Sequence, residues 1–129
     1  MLKIFNGTPH SINIIDGATF DPSIRKYVAG EEATVVASIP SDGVLSAVIE
    51  TWEEEPIDGI PVYGKMITGF DPLPTGYDIY IVSALYAEAA DRNKWELGKD
   101  IYKLYLVADP VYSLDGRTIL GCRGICPYY

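Results

Sequence analysis

Arg117 and Arg123 fall in a stretch, residues 116–129, that contains no acidic residue. A guanidinium grips phosphate or carboxylate through paired N–H donors. Gly116, Gly121 and Gly124 flank these arginines, and glycine lets backbone N–H groups come close to an anion. Tyr102, Tyr105 and Tyr112 precede them. An aromatic ring contributes roughly 1–3 kcal/mol per stacked base in single-strand binders. Arg117, Arg123, Tyr105, Tyr112 and Gly124 therefore form a candidate binding site for a small phosphorylated, nucleotide-like ligand.

Other reactive residues lack partners. Cys122 and Cys126 are the only cysteines and His10 is the only histidine, which is not a zinc framework. An extended chain holds Cα atoms four residues apart at about 13 Å, against the roughly 4.4–6.8 Å of a disulfide. Both cysteines read as free thiols unless Gly124 folds the chain tightly. Asp109 and Asp115 are two carboxylates of the type that serves glycoside hydrolysis or metal binding, but acids beside Pro and Gly are also ordinary turn residues. The run Glu53-Glu54-Glu55 lacks calcium-loop spacing. No phosphate loop, dinucleotide fingerprint or nucleophile elbow is present. The expectation is a non-enzyme with no metal and no cofactor.

The elements that must hold these residues read as short strands. Residues 2–5, 11–15, 33–39, 44–52, 60–67, 77–82, 101–107 and 118–120 are strand-like, by alternation or β-branched content. Asp16-Gly17, Asp58-Gly59 and Asp115-Gly116 are turn signals. Asp21-Pro22-Ser23 reads as a loop, Asp109-Pro110 as a break, and residues 121–127 as irregular. One helix is predicted over 84–92: Ser83 can cap it, alanine dominates it, and Glu88 pairs with Arg92 at i,i+4. Turn signals every 8–15 residues predict a mainly β fold, a small barrel or sandwich with one helix, with α+β as the alternative. The 129 residues predict a single domain, 1–129, or a small core with an arm.

Charge narrows the partners. Ten Lys and Arg face 18 Asp and Glu, a formal net charge of −8, which disfavours duplex nucleic acid. No apolar run is long enough for a membrane span, and residues 1–6 lack an apolar signal region. Ten tyrosines among 129 residues suit subunit interfaces, because the ring buries while the hydroxyl stays wet. A homo-oligomer is expected.

Several blocks carry a resemblance. Asn6-Gly7-Thr8-Pro9-His10-Ser11-Ile12 is followed by Gly59-Ile60-Pro61-Val62-Tyr63-Gly64 and Leu73-Pro74. Tyr80-Ile81-Val82-Ser83, Asp109-Pro110-Val111 and Gly121-Cys122-Arg123-Gly124 complete the series. In the order of these blocks the chain resembles a family of small accessory proteins encoded by bacteriophages and prophages. The resemblance implies a protein acting in the cytoplasm of an infected bacterium. It matches at Arg123, whereas Cys126 is not a regular feature of the pattern.

Together these readings favour a non-catalytic phage accessory protein that binds a ligand or host factor. Its most specific form is a sponge that sequesters a nucleotide-derived antiphage immune signal. The alternatives are a minor virion or assembly protein, and a small nucleotide- or sugar-processing enzyme using Asp109, Asp115, His10 or Cys122.

Overall fold

The computed structural model describes residues 1–129. In chain order the strands are β1 (Ile4–Asn6), β2 (Ile12–Asp16), β3 (Thr19–Asp21), β4 (Lys26–Val28), β5 (Thr34–Ile39), β6 (Ala47–Ile57), β7 (Ile60–Phe70) and β8 (Ile79–Ile81). Helices α1 (Ala84–Arg92) and α2 (Lys94–Leu97) and a 3-10 segment (Gly98–Lys103) follow. The chain then closes with β9 (Leu104–Tyr112) and β10 (Ile119–Pro127). The fold is mainly β with a helix over 84–92, and its main sheet curls into a half-barrel.

That sheet runs β1-β8-β9-β10-β2-β5. β9 is its spine. One edge of β9 takes β8 in parallel at Leu104 and Tyr105, and β4 in parallel at Val111 and Tyr112. The hairpin β3–β4 is joined to the sheet through β4. β10 lies antiparallel to β9 and parallel to β2. Successive residues of a strand point to opposite faces, and β8 separates two apolar layers in this way. Tyr80 and Val82 join Phe5, Leu104 and the helical Tyr86, Ala87 and Ala90 in one cluster. Ile81 faces the other way, with Ile12 and Cys122. Each fully buried aliphatic side chain here contributes about 1.5–3 kcal/mol of apolar transfer energy.

The helix forms where its caps demand. The Ser83 Oγ accepts the Tyr86 N–H at 3.1 Å, and Asn93 closes the C-terminal end onto Ala90 and Asp91 carbonyls. Arg92 and Glu88 pair at 2.9 Å. The buried Tyr86 then donates its hydroxyl to the Asp71 carbonyl at 2.6 Å, tying α1 to the end of β7.

Asn6 is fully buried at 0% exposure and satisfies four groups. Its amide Nδ2 donates to the carbonyls of His10 and Ile39, each at 3.0 Å. Its Oδ1 accepts the Thr8 N–H at 3.0 Å and the Thr8 hydroxyl at 2.6 Å. The Asn-x-Thr-Pro-His block is thus a turn built around a buried amide, and the His10 imidazole stands exposed outside it.

β6 and β7 pair only with each other. Their eleven-residue strands form an arm about 37 Å long. Its root is fixed where the Asp71 N–H donates to the Ser46 carbonyl at 3.0 Å and Asp71 Oδ2 accepts the Ser46 N–H at 2.8 Å. Phe70 meets the Tyr86 ring edge-on at 5.8 Å between centroids. β6 is exposed without a break from Val48 to Ile57, while β7 mixes exposed residues with half-buried ones at Val62, Gly64, Ile67, Gly69 and Phe70.

Several predicted boundaries move. β6 extends past residue 52 to Ile57, and β10 runs through the glycine-rich 121–127 segment expected to be irregular. Asp109-Pro110 does not end β9; Asp109 takes φ 51° and the strand continues. The predicted strand start at 101 is the 3-10 segment. β3 and β4 flank the Asp21-Pro22-Ser23 loop as short strands that the sequence reading did not assign.

Candidate functional site: a stacked arginine beside a cavity

β10 places Arg123 opposite Asp109, between the paired positions Cys122–Pro110 and Gly124–Ala108. Arg123 Nη1 lies 3.2 Å from Asp109 Oδ2. The guanidinium carbon sits 4.4 Å from the centroid of the Tyr27 ring. Tyr27 reaches this position because β4 pairs with β9 at Tyr27–Val111. An exposed ion pair contributes at most about 1 kcal/mol. Its geometric effect matters more: the ring and the carboxylate together fix the plane of the guanidinium.

A cavity of about 480 Å³ opens beside this pair. Its walls are Asp16 and Gly17 from the β2–β3 turn, and Asp109, Arg123 and Gly124 from β9 and β10. No atom lies within 4 Å of where a Cβ on Gly124 would project, so the backbone there is approachable. Gly121 differs. A Cβ there would run into the Asn13 carbonyl oxygen and come within 2.9 Å of Ile15 Cδ1. Gly121 serves the close packing of β10 on β2.

The candidate residues split into three places. Arg123 and Gly124 line the cavity. Tyr112 and Arg117 lie at the β9–β10 turn, where Tyr112 pairs with Ile119. Tyr105 lies at the far end of β9, opposite Pro127. Counted on β9 from Asp109, the residue opposite Arg123, Tyr105 is displaced by four positions, about 13 Å, and Tyr112 by three, about 10 Å. Arg117 has no carboxylate within ion-pair distance, and its backbone N–H donates to Asp115 Oδ1 at 3.0 Å.

A second cationic centre stands at that turn. Lys26 Nζ lies 4.3 Å from the Tyr112 ring centroid and donates to the Gly116 carbonyl at 3.0 Å. Lys26 and Tyr27 are therefore site residues that sequence reasoning missed. The adjacent run Arg25-Lys26-Tyr27, basic then aromatic, was the available signal.

The carboxylates considered for catalysis are engaged elsewhere. Asp115 accepts the Ser113 hydroxyl and the Arg117 N–H; the hydroxyl, then the backbone bond, hold its carboxyl below the usual carboxylate range. Asp109 holds Arg123. Cys122 and Cys126 are both free, the first buried and the second exposed, and burial pushes the Cys122 thiol up, away from the thiolate a nucleophile requires.

Set against known proteins, the chain matches no family model, no curated protein and no solved structure.

Proposed function

We propose that the protein is a non-catalytic phage accessory protein that binds and holds a small phosphorylated, nucleotide-like ligand in the host bacterial cytoplasm. In its most specific form the ligand is a nucleotide-derived antiphage immune signal. The observation that carries this reading is the Arg123 guanidinium, stacked on Tyr27 at the wall of the cavity beside Gly124. A guanidinium has five N–H donors, and Asp109 bonds only Nη1. The remaining donors suit a phosphate at the cavity mouth, with the open side of Gly124 leaving room beside it.

Binding without turnover fits the neighbouring groups. Asp109 is occupied by Arg123 and Asp115 by the turn, Asp16 is the other acid on the cavity wall, and the reading needs no cofactor. Sequestration holds one ligand per site, so the protein has to be present in at least the amount of the signal. The cellular setting rests on the resemblance of the sequence blocks to phage accessory proteins. The working form is a homo-oligomer.

The test incubates purified protein with extract from an infected, immune-active bacterium, removes unbound small molecules, heat-denatures the protein and analyses the released material by mass spectrometry. The expected result is an intact nucleotide-like molecule, absent with Arg123→Ala. A chemically altered molecule assigns an enzyme instead. No released molecule overturns the ligand reading and leaves the virion or assembly reading, which the exposed arm favours.

A further inference from the structure

The chain exposes more surface than a compact protomer of its size. Compact monomers of 14.2 kDa scale to about 6,800 Å² of accessible surface. This protomer exposes 8582 Å². The excess of about 1,800 Å² is more than twice the roughly 800 Å² that each partner contributes to a standard interface.

The β6–β7 arm carries a large share of the exposed apolar side chains. Val48, Ile49, Trp52, Ile57, Ile60, Tyr63 and Met66 are all exposed on it. A lone two-stranded hairpin is marginal in water, and this one is covered only near its root, where Ile49 and Ile67 approach Leu85 of α1. The arm is about 37 Å long, about the full width of a 100-residue body, whose radius of gyration of about 13 Å makes it roughly 34 Å across. The body of its own chain leaves most of it bare.

Charge selects the occupant. The arm has five acids (Glu50, Glu53, Glu54, Glu55 and Asp58) against Lys65 alone, which excludes a polyanion or an anionic membrane as partner. A complementary surface exists on this same molecule. Arg25, Lys26 and Arg117 stand together at the β9–β10 turn, where Lys26 donates to the Gly116 carbonyl, with Asp21 and Asp115 as the acids among them. We infer that the β6–β7 arm docks on a second copy of this chain, its apolar faces covered by the neighbour and its acidic tip drawn to the neighbour's basic end.

The inference rests on the homo-oligomer part of the functional reading and is independent of the ligand. Sedimentation velocity across a wide concentration range tests it on three proteins: the wild type, Ile57→Asp/Ile60→Asp and Glu53→Lys/Glu54→Lys. Ile57 and Ile60 are each 64% exposed, so the first variant leaves the protomer fold intact, which circular dichroism checks. The wild type is expected to sediment as an oligomer. Both variants are expected to shift toward monomer, with self-association weakened about tenfold or more. Amide exchange over 50–67 is expected to accelerate in the variants. A wild type that stays monomeric throughout overturns this inference and the homo-oligomer reading together. Variants that keep the wild-type mass overturn the arm inference and leave the homo-oligomer reading standing.

Discussion

The indole of Trp52 covers Gly64 on the neighbouring strand so closely that a Cβ at residue 64 would fall 2.5 Å from Trp52 Nε1. The two residues face each other in the β6–β7 ladder, and the same Nε1 donates to Glu54 Oε1 at 3.1 Å. A large ring laid over a strand glycine repairs the packing the glycine lacks. It also leaves no room for any other residue type.

Gly64→Ala is therefore expected to expel the Trp52 ring. Trp52 is 45% exposed, so it can swing into water, and the stability cost stays near 1 kcal/mol. In a Trp95→Phe background, where Trp52 is the remaining tryptophan, the emission maximum is expected to shift to the red.

Asn6→Ala is expected to be among the most damaging single substitutions. It leaves the Ile39 carbonyl and the Thr8 N–H without the partners that Asn6 gives them, while the His10 carbonyl keeps the Thr8 hydroxyl. Buried groups stripped of partners cost about 1–3 kcal/mol each, and relaxation recovers part of this, so a total near 3–4 kcal/mol is expected. Thr8→Val removes one hydroxyl and is expected to cost about 1 kcal/mol. Urea unfolding of both variants measures the difference.

Asp109→Asn separates stability from binding. The Arg123–Asp109 pair is half-exposed on both sides, so unfolding free energy is expected to change by less than about 1 kcal/mol. Asparagine also tolerates the positive φ that Asp109 adopts. With the competing charge gone, a nucleoside monophosphate used as probe is expected to bind about two- to fivefold more tightly, whereas Arg123→Ala abolishes binding. Calorimetry on both variants reads this out.

Acid is expected to loosen the β9–β10 turn late. The Asp115 carboxyl is lowered first by the Ser113 hydroxyl and then by the Arg117 N–H. A carboxyl whose folded pKa is depressed stabilises the fold above its unfolded value of about 3.9, and that stabilisation is lost as pH falls through the folded value. Carbon-13 NMR of Asp115 is expected to show a midpoint below the ordinary carboxylate range. Ser113→Ala is expected to raise the midpoint toward it.

The parts of this fold legible in the sequence are those decided by neighbours in the chain. Helix α1 falls on the predicted residues because Ser83, the alanines and the Glu88–Arg92 pair act within one or two turns. The Asp-Gly turns hold for the same reason: Gly17, Gly59 and Gly116 all take positive φ. β3 and β4 were hidden because three residues each are too few to show a period. β10 was legible only at 118–120, because the glycines that follow lower strand propensity and the benefit of Gly121 exists only once Asn13 is beside it. The site was half legible. Arg123 and Gly124 stood out by chemistry. Tyr27, 96 positions from Arg123 in the chain, is brought in by the β4–β9 pairing alone.

The position of β10 governs when the sheet can close. It is the last strand in chain order, yet it lies between β9 and β2. Until it is placed, β1, β8 and β9 make one fragment and β2 and β5 another. A ribosome must release residues through Pro127 before these fragments join, so the half-barrel assembles only after the other nine strands have been synthesised. Sheets built from such distant pairings fold slowly, on the order of milliseconds to seconds. During that interval both fragments expose the edges that β10 will cover.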